Sequence, residues 1–465
     1  MGIKPVNNQA YQLLHDGTIA LSKVESNGIR VDLDYLEKTT ENVSIEIKER
    51  TEKIKSSKIG KLWKKIYRHK TKFGSREQLG TILFKEMKIP NPYRTASGNR
   101  YKADESVLEK IDHPFVQEYL HLEKLKKIKS TYLKGIFRES INGFIHPVFN
   151  LGIAATFRSS CDSPNFQNIP IRIPWIAELI RKCFIPRKGN QLVEIDYGRI
   201  EVCGSTCYHK DPNMIKYITD PSRDMHRDAA QECFILSKDK VNKDIRYCGK
   251  NNFVFPQFYG DYYIDCAKNL WGNISRLNLT LPNGKSLYEH LKKKGINRLG
   301  ECNPDKKPLP GTFEKHIQEV EYKFWNQTFK TYNQWKKLWW ESYLETGGFY
   351  MLTGFYVEGI YKRNQVINYP IQGISFHFLL WSLIRLQKLL RKYKMKTIII
   401  GQIHDSIIAD VYKGELKDYL HMSKKVMTED IRKHWKWINV PLEIEAEVCD
   451  IDQSWNEKKK YKEVI

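Results

Sequence analysis

The chain has 465 residues, 41% of them hydrophobic, enough for two or three subdomains around a real core. Lys and Arg outnumber Asp and Glu by 77 to 54, a net charge of +23, and 12% of residues are aromatic, a balance that suits a polyanion whose bases stack on rings. Its nine cysteines form no C-x-x-C pair and no zinc spacing, its start is too polar for a signal peptide, and its longest apolar runs are too short to span a bilayer. A secreted disulfide scaffold, a zinc module and a membrane partner are therefore excluded, and a reducing, cytoplasmic compartment is expected.

In chain order, residues 1–16 read as a lead-in. Residues 20–29 read as a helix closed by Gly28. Residues 31 to about 68 then predict one long charged helix with Leu36, Val43, Ile45 and Ile47 on its apolar positions and a lysine-dense end. Ser75 starts another helix, 90–98 is a Pro/Asn/Ser/Gly loop, and 105–136 is helical with a basic stripe at Lys124, Lys126, Lys127 and Lys129. The acidic pair Asp32 and Asp34 falls at the start of this basic helical arm and reads as surface.

Composition shifts to strands and loops at Phe144. Residues 193–201 read as a buried strand that runs out at Asp196 and turns into a helix near Ile200. Helix is expected over 203–236, where Cys203 and Cys207 read as buried thiols, and over 243–263 as one dense element. Residues 270–311 look like an inserted lobe. Residues 313–345 predict a helix whose Trp325, Trp335, Trp339 and Trp340 serve packing first. A hairpin through Thr353-Gly354, a helix over 365–391, a hairpin over 397–411 with His404 and Asp405 at its tip, and a strand over 442–448 complete the chain.

An acid at the open end of a core strand is costly unless something cationic sits beside it. Asp196 and Asp405 both occupy such ends, which predicts that they meet and share two divalent metals for in-line phosphoryl transfer. Two aspartates suffice, because Mg²⁺ keeps water and substrate phosphate as further ligands; the carbonyl of Tyr197 is a natural extra oxygen. A single strand ending in Asp reads equally as a helix cap or a surface turn. Arg246 and Lys250, four apart on one helix face, shift the balance: two cations there repel unless an anion lies between them, and a triphosphate is such an anion. Aromatic residues further along that helix can stack on a base.

The stretch 196–201, Asp-Tyr-Gly-Arg-Ile-Glu, resembles motif A of the family A DNA polymerases, the bacterial polymerase I group with its phage relatives. Residues 246–260 resemble motif B, and Gln402-Ile403-His404-Asp405 resembles motif C. Pro164-Asn165-Phe166-Gln167-Asn168-Ile169-Pro170, preceded by Thr156 and Arg158, and Asn368-Tyr369-Pro370-Ile371-Gln372-Gly373 are similar to two further signatures. The resemblance implies an α+β right hand: thumb over 17–143, palm with an antiparallel sheet over 144–205 and 348–465, fingers over 206–347. It implies that Asp196, Tyr197 and Asp405 hold two Mg²⁺ ions, with Mn²⁺ able to substitute. It further implies that Arg246, Lys250 and His226 meet the triphosphate of an incoming dNTP, and that Lys250 protonates the departing pyrophosphate. Glu201 should fill the space of a ribose 2′-hydroxyl, Tyr259 lie near the templating pair and Phe255 near the incoming sugar. Arg158, Asn165, Gln167, Asn368, Gln372 and His404 should line the minor groove of primer–template DNA, where acceptors are alike for all pairs.

Three departures stand out. Ser406 replaces the usual Glu after the motif C aspartate, so Glu447 or another carboxylate is expected to compensate. Motif B carries one extra residue between Lys250 and Phe255, which turns a helix by about 100°; either a bulge absorbs it, or Val254 and Phe258 take the places given to Phe255 and Tyr259. Gly198-Arg199 adds a cation beside the site. The resemblance begins with the thumb and no proofreading acids precede it, so replication synthesis without editing is expected, with a separate exonuclease or processivity factor as partner and, for a viral origin, the host cytoplasm as its location. The competing readings are a single-subunit RNA polymerase, against which Glu201 argues, and a duplex-binding protein with a decayed site, against which the retained acids and cations argue.

Overall fold

The computed structural model describes residues 2–90 and 103–461; the loop expected over 90–98 lies outside them from residue 91 on. The fold is α+β. Its centre is a five-stranded, wholly antiparallel sheet in the order Lys459–Lys460, Glu443–Val448, Asn190–Gly198, Ser406–Tyr412, Ile398–Ile403. Asn190–Gly198 is therefore a central strand with partners on both sides. One of its faces buries Val193, Ile195 and Tyr197, and the Tyr197 hydroxyl bonds Ser382 Oγ at 2.8 Å on the long helix Arg363–Lys392 behind the sheet. With one face covered, the strand alternates apolar and acidic residues from Val193 to Tyr197, and Glu194 and Asp196 fall on the other face. The helix Asn8–Asn27 packs on the same long helix, so the expected lead-in over 1–16 holds a strand, Gly2–Pro5, and the start of this helix. Gly2–Pro5 forms a second small antiparallel sheet with Phe355–Glu358 and Gly348–Tyr350, the strands of the expected Thr353-Gly354 hairpin.

The helical arm has a core of its own, built on Trp63, Leu79, Leu83, Tyr119 and Leu122. The single helix expected over 31–68 is two, Leu33–Ser56 and Lys58–Tyr67. Between them Ser57 adopts extended backbone and its hydroxyl accepts from the Gly60 amide at 2.9 Å; a capping side chain in mid-run starts a new helix and so ends the old one. Leu36 and Val43 are buried but Ile45 faces solvent, because a residue two positions from Val43 projects from nearly the opposite side of the helix. Asp32 caps the first of these helices, accepting from the Tyr35 amide at 2.9 Å, and Asp34 lies in its first turn.

Other long helices are also segmented. Residues 203–236 divide into Ile200–His209, Pro212–Thr219 and Met225–Phe234. The 313–345 run divides into Phe313–Lys323 and Lys330–Thr346, joined by a wide π turn over Phe324–Thr328. Trp325, Trp335 and Trp339 pack with Phe324, Tyr332, Tyr208 and Phe349 rather than standing free. Two glycines set the approach of loops to the sheet. A Cβ on Gly373 would lie 2.7 Å from the Thr156 carbonyl, and one on Gly401 would lie 2.9 Å from the Phe166 ring. Bare glycines at these points let the 156–168 stretch close down on the palm beside both hairpin and helix.

Candidate active site

Asp196 stands two residues before the end of its strand, and Arg199, at φ 55°, makes the turn into Ile200–His209. In the register Asp196 faces Ser406 on one side and Glu445 on the other. His404, at φ 48°, and Asp405 form the tip of the adjoining hairpin. The Tyr197 amide donates to the Asp405 carbonyl at 3.2 Å. The two acids, remote in sequence, thus sit on neighbouring strands with their backbones stitched together. Asp196 has an edge open to solvent, yet the surrounding protein desolvates it and the charges of Asp405 and Glu194 add to this, so its carboxyl is pushed up to about 7. Burial pushes Asp405 up to about 6, with Arg158 working against the rise and Glu201 for it. Two repelling carboxylates of this kind, both hard oxygen donors, fit a divalent cation. Among the described residues no group of three or more His, Cys, Asp or Glu side chains is placed to hold a metal, which leaves the remaining ligands to water, backbone and phosphate.

The expected compensation by Glu447 does not occur. Glu447 pairs with Lys458, whose ammonium also bonds Glu194 at 2.6 Å. Its place in the register is opposite Glu194, two positions along from Asp196. The carboxylate facing Asp196 is Glu445, itself paired with Lys460 at 3.0 Å. Arg199, the extra cation, pairs with Glu443 at 2.7 Å.

Motif B is interrupted as its extra residue demands. Lys243–Gly249 and Phe255–Tyr259 flank a π turn over Lys250–Val254. A π turn takes in one additional residue without rotating the helix beyond it, and Pro256 falls in the first turn of the following segment, where its missing N–H costs little. Gly260, at φ 90°, closes the helix before the expected end at 263. Phe253 and Val254 are fully buried, whereas Phe255 and Tyr259 line a cavity of about 680 Å³ together with His226, Arg246, Lys250, Glu201, Tyr197, Asn368 and Asp405. Phe258 edges the same cavity but packs into Phe324, Trp325, Phe329 and Tyr332. The Lys250 ammonium lies 5.0 Å from the Phe255 ring centre, and the His226 ring stands edge-on to it at 5.6 Å. Burial, then the charges of Arg246 and Lys250, push His226 down to about 4, so it is neutral at pH 7.

Glu201 is held twice: Arg158 Nη2 reaches its Oε1 at 2.5 Å and the Tyr259 hydroxyl donates to Oε2 at 2.7 Å. Asn368 Nδ2 donates to the Tyr259 carbonyl at 3.3 Å. On the other side of the hairpin tip, a second cavity of about 680 Å³ separates palm from arm and is lined by His404, Gln167, Arg76, Lys124, Lys127 and Arg172. Asn165 precedes the short turn Phe166–Asn168, and Gln372 is half-buried on the long helix. Two residues here were not singled out from the sequence. The buried Gln402 accepts from Ser159 Oγ and Gln167 Nε2, each at 2.7 Å, and donates to the His404 carbonyl at 2.7 Å; the available signal was a polar amide inside an apolar strand. Asp224 bonds Arg246, and nothing in its own neighbourhood of sequence marks it.

Deleting Asn251, whose side chain among the described residues bonds only the carbonyl of Tyr247 one turn back, should replace the π turn by an α turn and so put Pro256 inside a continuous helix, where its ring meets the carbonyl one turn back. The thermal midpoint should fall, by the equivalent of about 3 kcal/mol; an unchanged or higher midpoint contradicts this. A second expectation concerns Asp196. Its folded pKa, about 7, lies well above that of an ordinary aspartate, so the fold binds the extra proton and stability falls as pH rises between the two, the whole deficit being present above the upper one. Asp196→Asn should therefore raise the thermal midpoint in chelator, and by more at pH 8 than at pH 5. An equal gain at both, or a loss, contradicts the assignment.

Comparison with known proteins agrees with this geometry. The model of DNA polymerase family A matches residues 35–278 and 357–457. DNA polymerase I of Bacillus subtilis (strain 168) is 27% identical over 435 residues, 92% of this chain and 44% of that protein. The thermostable DNA polymerase I of Thermus aquaticus is 31% identical over 247 residues, 52% of this chain and 28% of that protein. The chain spans less than half the length of these relatives. Among solved structures, the POL domain of Pol1 from M. smegmatis, in complex with DNA primer-template and dNTP, superposes with a TM-score of 0.72 at 22% identity, covering 96% of this chain and 70% of that one. With more than half of its length matched by the family model and the same right-handed fold, this chain belongs to DNA polymerase family A.

Proposed function

We propose that this chain extends the 3′ end of a primer by deoxynucleotides chosen by a template strand, in DNA replication, through two-metal phosphoryl transfer. The observation that carries the reading is the hairpin tip. Consecutive residues His404 and Asp405 line different cavities, one walled by the basic arm and one by Arg246, Lys250 and His226. A duplex end entering the first cavity meets, across the thickness of one turn, whatever anion occupies the second.

In this reading the arm-side cavity takes the primer–template duplex, with Lys124, Lys127 and Arg172 on its phosphates. Arg158, Asn165, Gln167, Asn368, Gln372 and His404 lie towards the primer end and test pair shape through minor-groove acceptors. The other cavity takes the dNTP. Arg246 and Lys250 neutralise its triphosphate, and the neutral His226 offers a hydrogen bond without adding charge. Phe255 lies against the sugar and Tyr259 beside the templating pair. Glu201, pinned by Arg158 and Tyr259, keeps the space of a 2′-hydroxyl filled. Asp196 and Asp405, with the Tyr197 carbonyl, are the residues that would hold the divalent pair, Mg²⁺ with Mn²⁺ able to replace it. When bound, those ions activate the primer hydroxyl and stabilise charge on the leaving group. The primer hydroxyl gives up its proton to water, its oxygen bonds to the α-phosphorus as the bond to pyrophosphate breaks, and Lys250 is placed to give the departing pyrophosphate a proton.

Primer extension with all eight nucleotides tests this directly, with template-dependent incorporation of the four deoxynucleotides as the expected result. Removing a carboxylate that would hold the metals forfeits several kcal/mol, which at about 1.36 kcal/mol per tenfold is roughly a thousandfold in rate. Asp196→Ala and Asp405→Ala should each lose extension to that extent while binding primer–template within about threefold of the parent. Extension that survives both changes sinks the reading.

A further inference from the structure

Asp224 is joined to the nucleotide cavity in a way that none of the motifs describes. Its Oδ1 caps the helix Met225–Phe234, accepting from the amides of His226 and Arg227, each at 3.1 Å. Its Oδ2 takes the Nε–H of Arg246 at 2.6 Å, from the start of motif B. One carboxylate thus ties together the two helices that carry His226 and Arg246. The bond uses Nε alone. Among the described residues the two terminal nitrogens of Arg246 bond no protein atom, and Arg246 lines the cavity.

That geometry separates two possible effects of an acid beside a phosphate-binding arginine. An acid bound across the two terminal nitrogens occupies the fork that a phosphate needs, and acts as a competitor. An acid bound at Nε leaves the fork open and fixes the plane in which it is offered. A guanidinium recognises phosphate through two parallel N–H groups, so fixing that plane removes freedom that binding otherwise has to freeze out.

We propose that Asp224 is a positioning residue for the incoming nucleotide: it aims the fork of Arg246 at the triphosphate and holds it in step with His226. The proposal rests on the reading of this cavity as the dNTP site. Asn and Ser cap helices about as well as Asp, so Asp224→Asn and Asp224→Ser should keep the helix start while weakening or losing the charged bond to Nε.

The test uses the full chain with primer–template ended by a dideoxynucleotide, Mg²⁺ and the matched dNTP, so that ternary-complex affinity is read without turnover; kcat and KM follow on an extendable primer. Both variants should raise the dNTP Kd and KM about tenfold, the loss of one charge-assisted bond (about 1.4 kcal/mol). Under about threefold should be lost from kcat, and primer–template Kd should not move. In an Arg246→Lys background, which has no fork to aim, D224N should add less than about twofold. An unchanged or tighter dNTP Kd in D224N overturns the proposal, the tighter value marking Asp224 as a competitor. Full additivity with Arg246→Lys overturns it too. A parent protein that forms no ternary complex with any dNTP brings down the nucleotide reading itself, and is told apart because it shows before any variant is made.

Discussion

Pairing between Asn190–Gly198 and Ser406–Tyr412 brings together two acids that repel each other. Burial of both side chains, and for Asp196 the charge of Asp405 after it, pushes their pKa values up, and that rise is the cost of keeping them ionised here. The sheet overrides it. Val193, Ile195 and Tyr197 fill the covered face, and the Tyr197 hydroxyl is locked between Ser382 and Met427. A slip of one residue in this register would expose that entire apolar set. The site is destabilised locally and held by a core that is not, an arrangement typical of places where charge has to be concentrated for chemistry.

The hairpin tip then divides space. Adjacent residues of a turn point in different directions, and here one direction is the arm and the other the fingers. Gln402, fully buried, anchors the tip to Ser159 and Gln167, so the wall of one cavity is set by the same hydrogen bonds that set the position of Asp405. On the fingers side, Glu201 links Arg158, which precedes the palm strand, to Tyr259 at the end of motif B. Any motion of the motif B helix that carries Tyr259 away has to break that bond, which couples movement on this side to the palm.

The candidate site residues drew attention in the sequence because they sit at the ends of strongly patterned segments. Asp196 follows the core residues Leu192, Val193 and Ile195, Asp405 sits between two apolar runs, and Arg246 and Lys250 share a helix face. The π turn of motif B was legible as a single surplus residue, though its exact place was not. Breaks elsewhere were hidden. Ser57 lies in a run that keeps helical composition on both sides, and Phe324–Thr328 widens with no proline or glycine to mark it. Partnerships between distant side chains were hidden altogether. Nothing near Glu447 announces that Lys458 will take it, since that pairing depends on a late strand folding back beside Glu443–Val448. Nothing near Asp224 announces Arg246, which lies on a different helix.

The central claim is that Asp196 and Asp405 share one pair of cations. Mn²⁺ is paramagnetic, and two ions bridged by common carboxylates are spin-coupled. Electron paramagnetic resonance on the complex with dideoxy-ended primer–template and dNTP should show two coupled Mn²⁺ ions per chain, with the coupling lost in Asp405→Asn. Two uncoupled ions, or a signal that Asp405→Asn leaves untouched, would contradict the account.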